Sequence, residues 1–222
     1  EELSVDSDNK MMQAYVLHHK GRANKEDFEL SINRMKRALK LYEDAGTKES
    51  MNIVYHELGE ALLDTAPTEA FMYFQKNLEL AEELNFPEEI YLARSNISSA
   101  LISMKQYEDA RKFCERNIEI AKEANNQDFL AYNYLLIGIS YKKEKNYPQA
   151  IEYAMQGKEI CEANNLMDKK QYTYQLLKEI YNERGNTSEA FDYFAKEKQI
   201  EAALEREKTA NKLAAVNAQF EL

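Results

Sequence analysis

Ala70, Ala110, Ala150 and Ala190 lie forty residues apart, and four residues after them stand Phe74, Cys114, Ala154 and Phe194. A period held through four copies means that each copy is one supersecondary unit stacked on the next. Each copy carries apolar residues at i, i+3, i+4 and i+7, as in Asn77–Leu84 and Asn117–Ala124, the pattern of an amphipathic helix. A second set lies upstream of each alanine: Leu58-Gly59, Ile97-Ser98, Ile137-Gly138 and Leu177-Lys178. Tyr55, Arg94, Tyr134 and Tyr174 precede the second member of these pairs by four residues. Each copy therefore reads as two helices, the small residues letting them approach and the aromatics filling the adjacent space. Breaks fall where Pro67 and Pro148 tolerate a first turn, at Asn146, and at Gly185 with Asn186, Thr187 and Ser188 as capping candidates. Longer breaks are expected to close each pair at Asn85–Glu89, Asn125–Asp128 and Asn164–Asp168. The fold class is all-α.

Composition narrows the chemistry. Only 6 Gly and 3 Pro in 222 residues favour long regular elements over loops. A formal charge of −10 opposes nucleic-acid contact by this segment. No apolar run approaches the ~20 residues of a membrane helix, so no membrane insertion is expected within these residues. The chain opens at Glu1 without Met, as a trimmed or processed segment would. Cys114 and Cys161 read as inert buried thiols. His18 and His19 are adjacent and diverge by about 100° on a helix, and His56 stands apart, so no metal-ligand face forms. Scattered glycines give no phosphate-cradling loop. Glu115, Glu119 and Glu123 are like-charged neighbours on one helix face and read as solvated surface. The 15 Tyr and 9 Phe fall mostly on core positions. Neither an enzyme nor a cofactor is indicated.

The residues Ile137-Gly138, Tyr141 and Ala150, with Ala190 and Phe194, resemble the hallmark of the tetratricopeptide repeat. The resemblance is clear over 51–202 and covers a degenerate first unit, Asp8–Gly46, through Tyr15 and Leu17. It implies an α-α superhelix of about five helix pairs over residues 1–204, with residues 205–222 as a helical extension. The period is 40 where that family commonly has 34, and no proline closes each pair. The resemblance further implies a concave groove lined by the first helix of each pair. Its stripe would be Ile53, His56, Glu60 and Leu63, then Leu92, Ser95, Ser99 and Ile102. It would continue through Tyr132, Leu135, Ile139 and Lys142 to Tyr172, Gln175, Glu179 and Asn182. Such a stripe suits a protein or peptide, the alternative being that these residues pack against one another.

From Ser188 to Leu222 there is no Gly or Pro, and a continuous helix there would be about 50 Å long. Leu213, Val216 and Phe220 form a thin stripe, more like a coiled-coil seam than a core face, and would support a homodimer. Repeats followed by a charged helix resemble the sensor regions of bacterial membrane-anchored signalling proteins, of the histidine kinase or transcriptional-regulator type. That resemblance implies a non-catalytic sensor module of a two-component or related system, in a periplasmic or extracytoplasmic location. The alternatives are a cytoplasmic peptide-responsive regulator and a structural assembly scaffold.

Overall fold

The structure, a computed structural model, describes residues 2–23 and 27–220, and the side chains of 9–23 and 27–214. Ten α-helices and no strand occur among the described residues. In chain order they are α1 (Glu2–Ala23), α2 (Phe28–Ala45), α3 (Lys48–Leu62), α4 (Pro67–Leu84) and α5 (Pro87–Ser103). There follow α6 (Tyr107–Glu123), α7 (Gln127–Lys143), α8 (Tyr147–Ala163), α9 (Met167–Glu183) and α10 (Thr187–Phe220). The chain divides into two compact units, residues 1–106 with α1–α5 and residues 107–222 with α6–α10. In each unit every helix packs on the next. In addition α3 touches α5 in the first unit and α7 touches α9 in the second.

The helices stop for a common reason. Asn85, Lys105, Asn125, Lys145, Asn165 and Gly185 all have positive φ, between 51° and 77°, and each follows the last by twenty residues. A residue in this left-handed region turns the chain and lets two backbone N–H groups fold back onto the helix's last carbonyls. At Lys105, for example, its own N–H bonds Ile102 O at 2.9 Å and the Gln106 N–H bonds Leu101 O at 2.9 Å. Asn125, Lys145 and Gly185 repeat the pair of bonds, and Gly46 does so after α2. The breaks expected to be longer between pairs are no longer than those within them: residues 164–166 join α8 to α9, as residues 144–146 join α7 to α8. The acidic and polar letters that suggested length, such as Asp128 and Asp168, belong to the first turn of the following helix. There they face the positive end of the helix dipole.

The recurring letters have their packing roles. A Cβ on Gly59 would overlap the Phe74 ring, and one on Gly138 would lie 3.1 Å from Leu176 Cδ2 and 3.2 Å from Ala150 O. In the second unit Leu135, Ala150, Ala154, Leu176, Leu177 and Ile180 form one buried cluster across α7, α8 and α9. Tyrosines stack beside it, Tyr141 on Tyr153 at 5.6 Å and Tyr181 on Tyr193 at 5.7 Å between ring centres. Buried asparagines add directionality: the Asn77 side-chain amide donates to Asn52 Oδ1 at 2.7 Å, and the Asn52 amide donates back to Asn77 O at 3.0 Å. An amide pair of this kind tolerates only one register between α3 and α4. Both cysteines are buried and neither forms a disulfide, and burial pushes the Cys161 thiol up to about 11.

Lys145 holds a conformation that disfavours a side chain, with φ 61°. Lys145→Gly keeps both backbone bonds and removes the Cβ clash, so it is expected to raise unfolding free energy by about 1 kcal/mol. Urea denaturation followed by circular dichroism measures it; an unchanged or lower midpoint would count against the cap as the helix stop.

Candidate ligand groove

Outside the first pair, the first helices within a unit lie closer together than the second helices, and α3 reaches α5 in the first unit. In the second unit α7 reaches α9 directly, whereas α8 and α10 make no comparable contact among the described residues. Within each unit this makes the layer of first helices the inner side of the stack, where a groove would open.

On that side of the first unit, Ile53 of α3 is 50% exposed and Leu92 of α5 is 40% exposed. Glu60 is exposed and lies 3.5 Å from the Nε2 of half-buried His56 on its own helix. The expected serines contribute less. Ser95 is buried, and Ser99 donates its hydroxyl to Ser95 O at 3.2 Å, so both serve the helix and not a ligand. Ile102 is buried and Leu63 half-buried. A residue outside the stripe is also uncovered: Tyr15 of α1 is 54% exposed and lines, with Met11, Met12, Tyr42 and Ser50, an apolar pocket of about 270 Å³. The adjacent methionines and the tyrosine one turn on were the available signal. They were obscured because the first unit departs from the repeat.

In the second unit Tyr172 is 55% exposed and Tyr132 is half-buried. Leu135 is a core residue, part of the buried cluster, and Ile139 packs against that cluster from the edge. Leu135 and Ser95, both buried, therefore leave the expected lining, and Leu135 packs with Ala150 and Ala154 of its partner helix α8. Lys142, Glu179 and Gln175 form a polar knot instead. The Lys142 ammonium bonds Glu179 at 2.6 Å and meets Glu183 at 3.2 Å. The Gln175 amide donates to Glu179 at 3.1 Å, and the Tyr147 hydroxyl donates to Glu183 at 3.0 Å. Burial alone would depress the Lys142 ammonium, but the bonds and charges of Glu179 and Glu183 outweigh it and hold it above the usual lysine range. Burial pushes Glu179 up, and the bonds from Lys142 and Gln175 more than offset that, leaving it below the usual carboxylate range. Asn182 at the end of the row is exposed.

Local reading of charges missed this knot, because it joins residues 37 apart in sequence. Other such links tie helix to helix: Arg111 to Glu144, Lys169 to Asp128 and Lys178 to Glu197. Among the described residues no group of three or more His, Cys, Asp or Glu could hold a metal ion. No described helix is long and apolar enough to cross a membrane.

Comparison with known proteins places the fold. Residues 89–163 match the family model for the tetratricopeptide repeat. No curated protein matches the chain in sequence. Among solved structures, aspartyl phosphate phosphatase F from Bacillus subtilis is similar at TM-score 0.76 and 16% identity, over 91% of this chain and 55% of its own. A Rap protein complexed with competence and sporulation factor is similar at TM-score 0.71 and 17% identity, over 90% of this chain and 57% of its own. A signal transduction ATPase with numerous domains and a tetratricopeptide repeat sensor, from Pyrococcus horikoshii, is similar at TM-score 0.58 and 17% identity, over 82% of this chain and 29% of its own. The chain thus spans little more than half the length of the first two. What it shares with all three is the all-α fold of stacked helix pairs, and the tetratricopeptide match covers residues 89–163.

Removing Lys142 tests the knot. Lys142→Met leaves Glu179 and Glu183 facing each other and is expected to cost about 1–2 kcal/mol near neutral pH after allowance for solvent screening. A depressed Glu179 contributes stability above the usual carboxylate range and loses it as pH falls through its folded value; a raised Lys142 contributes until pH rises through its own. The difference between the two proteins should therefore shrink in acid and in strong base. Urea midpoints from about pH 3, below the ordinary carboxylate pKa, to about pH 12, above the ordinary lysine pKa, measure it, and a difference flat with pH would count against the coupling.

Proposed function

We propose that this tetratricopeptide-type chain is a non-catalytic recognition module that takes a protein segment or peptide on the inner face of its first helices. The observation that carries the reading is a set of large side chains left uncovered on the first helices of each unit. Tyr15, Ile53 and Leu92 are exposed in the first unit, and Tyr172 is exposed in the second. Large apolar groups exposed in register on successive helices cost free energy unless something covers them. Extended or helical peptides recognise grooves of this kind through side-chain pockets, and the pocket of Met11, Met12 and Tyr15 supplies one. His56, Glu60, Gln175 and Glu179 border the row and would select polar flanks.

We read the module as a sensor in signal transduction, of bacterial type, with α10 as its output. α10 has 34 residues, twice the length of α9, so its second half extends past the pair it belongs to. Leu213 is 61% exposed there, as a seam residue in wait of a second copy would be; the side chains of Val216 and Phe220 lie outside the described residues. The similar Rap protein was solved with competence and sporulation factor, and the similar ATPase carries its repeats as a sensor. Both support a sensing role, and the first favours a peptide-responsive regulator as the second reading.

Two measurements test this. Peptides selected against the wild-type chain from a display library should bind at least about 10-fold more weakly to Ile53→Glu, Leu92→Glu or Tyr172→Glu; equal affinity with unchanged helicity would refute the groove. Sedimentation should give a dimer for the whole chain and a monomer for residues 1–204; equal association states would remove α10 from dimer formation.

A further inference from the structure

The residues just before the recurring pairs Leu58-Gly59, Ile97-Ser98, Ile137-Gly138 and Leu177-Lys178 are Glu57, Asn96, Leu136 and Leu176. They occupy corresponding places on α3, α5, α7 and α9, and what satisfies them differs. Leu136 and Leu176 are buried, and Leu176 joins Leu135 of α7 in one apolar cluster. Glu57 is half-buried and meets His18 of α1 at 2.5 Å and Arg22 of the same helix at 3.1 Å. Asn96 is buried, 8% exposed, and its Nδ2 has no hydrogen-bond partner among the described residues. The other buried asparagines are committed within the protein. Asn52 and Asn77 bond each other, the Asn117 amide donates to Asn133 Oδ1 at 3.0 Å, and the Asn133 amide donates to Phe129 O at 2.8 Å.

Stability does not account for Asn96. A buried donor left unmet is a net cost to the fold, and leucine fills the same place on α7 and α9. Its location is the inner layer of the first unit, where α3 touches α5. On α5 it lies one turn from exposed Leu92 and one turn from Ser99, whose hydroxyl is already given to Ser95 O. His56 on α3 corresponds to His18 on α1, each standing three residues before a glycine. The His56 Nε2 is also buried without a hydrogen bond, 3.5 Å from Glu60. Where α1 and α3 close a polar pair through His18 and Glu57, α3 and α5 thus leave both corresponding groups unmet.

We infer that Asn96 anchors the main chain of an extended peptide on the inner face of the first unit, which rests on that face being the recognition groove. A side-chain amide both donates and accepts. In an extended chain the N–H and C=O of one residue point to the same side, so a single peptide residue satisfies Asn96 in both roles. A helical ligand does not, because its N–H and C=O groups bond one another. The ligand is therefore extended. Turning the Asn96 amide toward the groove breaks no hydrogen bond of the protein, and rotations of this kind are common when a partner docks. Side chains flanking the anchored residue fall against Ile53 and Leu92, both exposed on this face.

The probe is the tightest-binding peptide selected from a random display library against the wild-type chain, titrated by fluorescence anisotropy. Asn96→Leu, the residue of α7 and α9, is expected to weaken binding about 10-fold while the urea midpoint stays level or rises. Asn96→Ala removes the amide without adding bulk and should give the same loss, which keeps the test readable if leucine is poorly accommodated. Replacing the peptide's main-chain amides by esters one at a time should reveal a position that costs the wild type about 5-fold and costs Asn96→Leu nothing. Unchanged affinity in both Asn96 variants, or no ester position that distinguishes them from the wild type, overturns the anchor. A bound peptide that circular dichroism shows to be helical overturns it as well. Leu92→Glu separates the two readings. Binding lost in Leu92→Glu and kept in the Asn96 variants refutes the anchor alone, whereas binding indifferent to all three, or no selected peptide, refutes the groove with it.

Discussion

Each helix from α4 to α9 ends because one residue enters the left-handed region and folds the next N–H back onto the helix it leaves. That geometry uses three residues at most of the turns and returns the chain antiparallel to itself, so a twenty-residue cadence sets both helix length and helix spacing. Once helices of equal length alternate direction, a face of each must be shared between two neighbours. The small residues at the crossings and the buried amides then decide how closely and in which register neighbours meet. Which side chains the first helices leave uncovered follows from that packing.

The forty-residue period and the pairing of helices were legible because small and aromatic residues have to recur where backbones cross. The twenty-residue half-period was not. Gly185, Asn125 and Asn165 announce a left-handed turn, but Lys105 and Lys145 adopt the same conformation with no such signal. With those two marks silent, the Asn-rich breaks looked longer than the lysine-bearing ones. Backbone hydrogen bonding, which is blind to the side chain, makes them alike.

The candidate groove shows a similar division. Ile53, Leu92 and Tyr172 reach solvent as a helical stripe requires, since those positions are fixed by local geometry. Leu135 and Ser95 do not, because burial depends on which neighbour a stripe meets, and the helix on the far side has no fixed offset in sequence. The Lys142 knot illustrates the limit most sharply. Its partners come from another repeat, and only packing brings Glu179 and Glu183 to one ammonium. Reading α6 alone found Glu115, Glu119 and Glu123 repelling one another, while Arg111 of that helix answers to Glu144, the residue that follows α7.

Repetition also makes exposure informative. In a molecule built once, an exposed phenylalanine such as Phe194 would be one of many scattered apolar side chains that need no explanation. Here three sister positions state what its surroundings are when a neighbouring helix is in place, and the same letter, Phe74, is fully buried in one of them. The difference lies across the helix pair: Phe74 fills the space that Gly59 leaves on α3, whereas Lys178 stands at that position on α9 and lies over the Phe194 ring.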